Sequence, residues 1–154
     1  FGRGMRAAAA LIKADVGIEA IQLDIGGWDT HANQGTTTGG MANIMRDLAG
    51  SMAAFHADCL TGATPTRVTV VVVSEFGRNV RENGSMGTDH GRGTVFFAMG
   101  PGIRGGRVLT QNWQTLNREN LEIGQDLRVT IDHRDILAEI VQRRLGNASL
   151  AQIF

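Results

Sequence analysis

Lysine is nearly missing from this chain: among the 15 basic residues only Lys13 is a lysine, and the others are arginines. The chain therefore has many planar, bidentate forks and almost no point-charge ammonium. Forks of this kind suit carboxylate or phosphate groups, although a compositional bias toward arginine gives the same pattern. No excess of either sign exists, since 15 acidic residues balance the 15 basic ones. A neutral balance removes the electrostatic case for nucleic acid or an anionic membrane surface as partner. Cys59 is the only cysteine, so an internal disulfide is impossible, while the compartment stays open. No run of about 18 apolar residues is present, so no segment reads as a membrane-spanning helix. The chain starts at Phe1 with neither an initiator Met nor a signal pattern. It is therefore expected to be a fragment or a processed product, with part of an active site upstream.

What is present suits a single domain over residues 1–154, long enough for a real core and normal in its 42% hydrophobic content. The alanine-rich stretch 3–14, with Met5, Leu11 and Ile12, predicts a helix that Gly17 ends. Ile18 to Ile25 alternates like a strand. A polar Gly/Thr loop follows over 33–40. Met41, Ile44, Met45, Leu48, Met52 and Phe55 then recur at steps of three and four, which predicts an amphipathic helix packed by ordinary core methionines. A turn over 61–66 leads into Val68 to Val73, the strongest strand signal. Its nearly continuous apolar run predicts a central parallel strand buried on both faces. A polar loop spans 79–93, a strand spans 94–99, and Gly100-Pro101-Gly102 breaks it. Residues 105–109 read as a turn into a short edge strand, and 111–127 are polar and irregular. Ile136, Leu137, Ile140, Val141 and Leu145 predict a last helix, with Asp132 or Thr130 as N-cap and Gly146 as its stop. The order predicts an α/β fold, a mostly parallel sheet flanked by helices.

The chemistry-bearing residues cluster at the predicted strand exits, where such sheets bind ligands. Gly26-Gly27-Trp28-Asp29-Thr30-His31 follows one strand, Ser74-Glu75 another, and Gly87-Thr88-Asp89-His90-Gly91 is read as a third cluster at a strand exit, within the polar loop 79–93. Asp29 and His31 are spaced i, i+2, which points both side chains to one side of an extended segment. Carboxylate and imidazole together suit zinc, manganese or iron, and calcium less well. The alternative is a turn-capping Asp29 with a surface His31. Asp89 and His90 are adjacent, so both can ligate only in an irregular loop; otherwise one ligates and the other orients a neighbour, or the pair is an Asx-turn with a solvated histidine. Glu75, expected near a buried strand end, needs a cation, which a metal or Arg78 or Arg92 would supply. His56 and His133 read as ordinary helix residues.

Four blocks carry a resemblance: Gly-Gly-Trp-Asp-Thr-His-Ala-Asn-Gln (26–34), Ser-Glu-Phe-Gly-Arg (74–78), Gly-Thr-Asp-His-Gly-Arg-Gly (87–93) and Gly-Gly-Arg-Val (105–108). Together with the helix bearing Arg134 to Glu139, they resemble the bacterial domain-of-unknown-function family 1501, whose members are often exported by the twin-arginine pathway. That family is similar to the alkaline phosphatase superfamily of phosphatases, sulfatases and phosphoglycerate mutases. The resemblance implies an α/β/α sandwich with one or two metal ions at the strand ends, a nucleophile near the N-terminus, and a periplasmic or exported location. It implies metal ligation by Asp29, His31, Glu75 and His90, with Asp89 a ligand or orienter. Two departures stand out. Ser74-Glu75 replaces the usual Asp-His pair, and no nucleophile block is visible, so the chain looks like the C-terminal half of the family domain.

The expected function is metal-dependent hydrolysis of a small anionic phosphate or sulfate ester, with zinc, manganese, iron or calcium as cofactor. Arg78 or Arg92 would grip the anionic group. The rival is a non-catalytic exported binding or scaffold domain on a degenerate phosphatase-like fold.

Overall fold

A computed structural model of the chain describes residues 1–63 and 65–154. The turn expected over 61–66 includes Thr64, which lies outside the described residues. The chain divides into two compact units. The first comprises Phe1–Val70, Arg81–Asp89 and Gly100–Ile103; the second comprises Val71–Val80, His90–Met99 and Arg104–Phe154.

The first unit is built on two helices, α1 (Gly2–Lys13) and α2 (Gly40–Phe55). In α1, Met5, Ala8 and Ala9 fall on one face and are buried. The alanines let α2 approach closely, and the two helices pack together. Lys13, in the last turn, pairs with Asp58. In α2 the expected stripe is graded in burial. Leu48 and Phe55 are buried, Met41, Ile44 and Met52 are half-buried, and Met45 is exposed. After Phe55 the helix widens into a π turn over His56–Leu60, closed by Thr61 N–H donating to the His56 carbonyl at 3.0 Å. The wider turn delivers Cys59 and Leu60 to the core, and Cys59 is fully buried. Burial pushes its thiol above the ordinary value, which makes it an inert packing residue.

The mostly parallel, helix-flanked sheet expected from the sequence is not formed. Among the described residues there are only short antiparallel two-stranded sheets. One joins β1 (Val70–Val72) to β4 (Phe97–Met99), and the other joins β2 (Gly77–Arg78) to β3 (His90–Gly91). β2 and β3 run antiparallel, with Gly77 opposite Gly91 and Arg78 opposite His90. The valine run is not a doubly buried central strand, since Val71 and Val73 are exposed. Residues 18–25 join no ladder, and Ile18, Ile21 and Leu23 are exposed. The edge strand expected at 105–109 is also missing, with Val108 and Leu109 open to solvent. Apolar alternation gives a segment the propensity for a strand, but a ladder also needs a partner with matching register.

The second unit holds these strands, apart from Val70, and the last helix, α3 (His133–Leu145). Asp132 is its N-cap, accepting from Arg134 N–H at 2.9 Å, and Gly146 closes it in the left-handed conformation with φ of 66°. Hydrogen bonds from the Arg134 guanidinium, and then from its backbone N–H, hold the Asp132 carboxyl well below the usual carboxylate range. A depressed carboxyl stabilises the fold above its unfolded value of about 3.9, and that contribution is lost as pH falls toward the folded value. Asp132→Ala is therefore expected to lower Tm by a constant small margin above about pH 5, with the margin shrinking below about pH 4. Thermal melts across pH, followed by circular dichroism, check this; a margin independent of pH would remove the cap's electrostatic role. Among the described residues no helix is long and apolar enough to cross a membrane.

Candidate metal centre

In the first unit, residues 26–34 form a tight, turned segment rather than the exit of a strand. Thr30 N–H donates to the Trp28 carbonyl at 2.9 Å, and His31 N–H donates to the Asp29 carbonyl at 3.2 Å. The Trp28 indole N–H anchors the segment's start on the Ile25 carbonyl at 2.7 Å. The i, i+2 spacing of Asp29 and His31 brings their side chains together through this turn, not through an extended backbone.

The loop 81–89 is sewn onto that segment. Asn33 N–H donates to the Ser85 carbonyl at 3.0 Å, Gln34 N–H to the Met86 carbonyl at 2.8 Å, and Thr88 N–H to the Thr30 carbonyl at 3.2 Å. The Gln34 Oε1 accepts from the hydroxyls of both Thr30 and Thr88 at 2.8 Å each. Gly87 is buried against the backbone of the other segment; a Cβ there would lie 2.2 Å from the carbonyl carbon of His31. Only a residue without a side chain permits this approach.

The seam places His31 between two carboxylates. Its Nε2 lies 2.9 Å from Asp29 Oδ1, and its Nδ1 lies 3.0 Å from Asp89 Oδ1. Asn83 Nδ2 donates to that same Asp89 oxygen at 2.9 Å and to the His31 carbonyl at 3.0 Å. The Asn83 Oδ1 accepts from Ser85 N–H and Gly87 N–H, which fixes the loop and the amide together. Sequence reasoning missed Asn83; the Asn-Gly pair at 83–84 signals a turn but gives no hint of its second task. A neutral imidazole has one N–H and can donate to one carboxylate only. The other nitrogen then meets a carboxylate lone pair, an arrangement that either a second ring proton or a metal cation between them satisfies. Side-chain exposure is close to one half at all three residues, so an ion from solvent has access.

Asp29 and His31 offer one oxygen and one nitrogen donor side by side, a pair of the kind that divalent transition ions take. Ligand bonds of roughly 2.0–2.2 Å put neighbouring ligand atoms about 3 Å apart, close to the 2.9 Å between His31 Nε2 and Asp29 Oδ1. The second imidazole nitrogen resting on Asp89 matches the carboxylate–histidine–metal arrangement that orients a ligating ring.

The other residues read as site candidates belong to the second unit. Glu75 is exposed rather than near a buried strand end, and none of the described residues holds it in an ion pair. His90, in β3, stacks on Phe76 at 4.1 Å between ring centroids, and the Arg78 guanidinium lies 5.7 Å from the centre of the same ring. Arg92 pairs with Glu122 at 3.2 Å rather than with Glu75. His56 and His133 are exposed helix residues, as read.

The irregular stretch 111–127 conceals a second residue that sequence reasoning missed. Asp126 is buried, accepts the Arg92 N–H on Oδ2 at 2.5 Å, and bridges to Asn79. A Cβ on Gly91 would lie 2.3 Å from its Oδ1, so glycine there is what lets the carboxylate in. No periodic pattern marks Asp126, because a single buried acid in a loop leaves none.

A family model described as "Protein of unknown function (DUF1501)" matches residues 1–148. The chain belongs to this family. The match takes in Asp29, His31, Glu75, Asp89, His90 and Asp126 alike. No curated protein and no solved structure matches the chain.

Proposed function

We propose that this DUF1501 chain binds a divalent transition ion at Asp29 and His31, with Asp89 orienting the ring, and serves metal-dependent hydrolysis of phosphate or sulfate esters. One observation carries the reading: the His31 imidazole is held between two carboxylates, at 2.9 and 3.0 Å, by a backbone seam that needs Gly87. Asp29 and His31 offer the ligand atoms. Asp89, itself fixed by Asn83, orients the ring. Held by Asp29 and His31, an ion would supply Lewis-acid chemistry toward an ester oxygen or water.

The test is metal analysis of the purified protein together with a panel of phosphate and sulfate esters, with and without chelator. About one equivalent of a divalent ion, and turnover lost on chelation, are expected. Bound metal without turnover would limit the chain to metal binding, and neither metal nor turnover would overturn the reading.

A further inference from the structure

A polar cleft of about 380 Å³ lies within the second unit, in the stretch that the sequence leaves irregular. Its volume falls in the range of roughly 300–1,000 Å³ typical of small-ligand sites. Gln111, Asn112, Gln114, Asn120, Thr130 and Arg128 line it. Four carboxamides and a hydroxyl give a wall dense in both donors and acceptors. Among the described residues no acidic side chain lines it, and Arg128 makes no ion pair with any of them. The Arg128 side chain is nonetheless positioned: its Nε donates to the Asn120 carbonyl at 3.2 Å, and the Asn120 amide donates to the Thr115 hydroxyl at 2.9 Å. The two terminal nitrogens are left as a fork that matches a carboxylate.

A smaller recess shares Gln114, Asn120, Arg128 and Thr130 with the cleft and adds Trp113. Trp113 is 48% exposed, a large apolar plane beside a hydrogen-bonding wall. An aromatic plane, a set of amides and one arginine correspond to the three chemical features of an acidic sugar. These are an apolar C–H face, a ring of hydroxyls and one carboxylate. We infer that this cleft binds a monosaccharide carboxylate, with Arg128 on the carboxylate and the carboxamides on the hydroxyls, while Trp113, which lines the adjoining recess and not the cleft itself, borders the bound ring. A single arginine suits one negative charge better than a polyanion, in keeping with the neutral chain.

The inference is independent of the metal reading, and its test is run in chelator so that the two fail separately. The full chain is titrated with glucuronate, glucose, acetate and glucose 6-phosphate, followed by tryptophan fluorescence and by amide chemical shifts. Glucuronate is expected to saturate and to bind at least about tenfold more tightly than any of the other three. Arg128→Gln should bring glucuronate down to the level of glucose, and Trp113→Phe should remove the fluorescence change. Both positions are solvent-exposed, so circular dichroism should report an intact fold in each variant. Acetate or glucose 6-phosphate binding as tightly as glucuronate would overturn the inference. So would unchanged glucuronate affinity in Arg128→Gln, or no saturable binding at all.

Discussion

His31→Ala is expected to weaken binding of zinc or manganese by at least about 100-fold, beyond the 10–100-fold typical of losing an outer-shell partner. The variant loses the only nitrogen donor in the Asp29–His31–Asp89 cluster and leaves two carboxylates with no imidazole between them. Asp89→Asn should cost less, in the 10–100-fold range, because it removes the group that orients the ring rather than the ring itself. Fold stability should barely change in His31→Ala. The side chain is half exposed, and solvent-screened ion pairs contribute little. Calorimetric titration with each metal, paired with thermal melts, separates the two effects. A His31→Ala protein that binds metal as the wild type does would place the ion elsewhere.

The second large effect is structural. Gly87→Ala would put a methyl 2.2 Å from the His31 carbonyl carbon, 2.3 Å from its oxygen and 2.5 Å from the Thr30 oxygen. All three are backbone atoms, so no side-chain rotation relieves the clash. The loop 81–89 would have to lift from residues 30–34, straining the three backbone hydrogen bonds that join them. Destabilisation of about 2–3 kcal/mol is expected from the overpacking alone. Gly84→Ala is the matched control: the same substitution, in the same loop, into open space. Urea unfolding should show a marked drop in midpoint for Gly87→Ala and almost none for Gly84→Ala. Equal midpoints would mean that the seam is looser than its geometry implies.

The helices were legible because each carries its own evidence. The alanine-rich stretch, the stripe from Met41 to Phe55, and the Asp132 and Gly146 caps are local signals, and α1, α2 and α3 follow them closely. The sheet was not legible. A valine run from 68 to 73 shows strand propensity but says nothing about a partner, and only Val70–Val72 entered a ladder. Residues 18–25 alternate correctly yet pair with no other strand. Within the candidate centre, Asp29, His31 and Asp89 stood out as residue types suited to a metal. Asn83 and Asp126 did not, because an amide in a turn and one acid in an irregular loop resemble many others until their partners are known.

The division into two units also bears on how the chain can fold. It passes from one unit to the other after Val70, Val80, Asp89, Met99 and Ile103. The loop that completes the Asp29–His31–Asp89 cluster arrives only after part of the second unit has been synthesised. Neither unit can be cut out as a continuous peptide. Neither can finish before residues from both halves of the sequence are in place. Folding that depends on such non-local closures is slow for the chain's length, and the cluster around His31 should be among the last parts to become ordered.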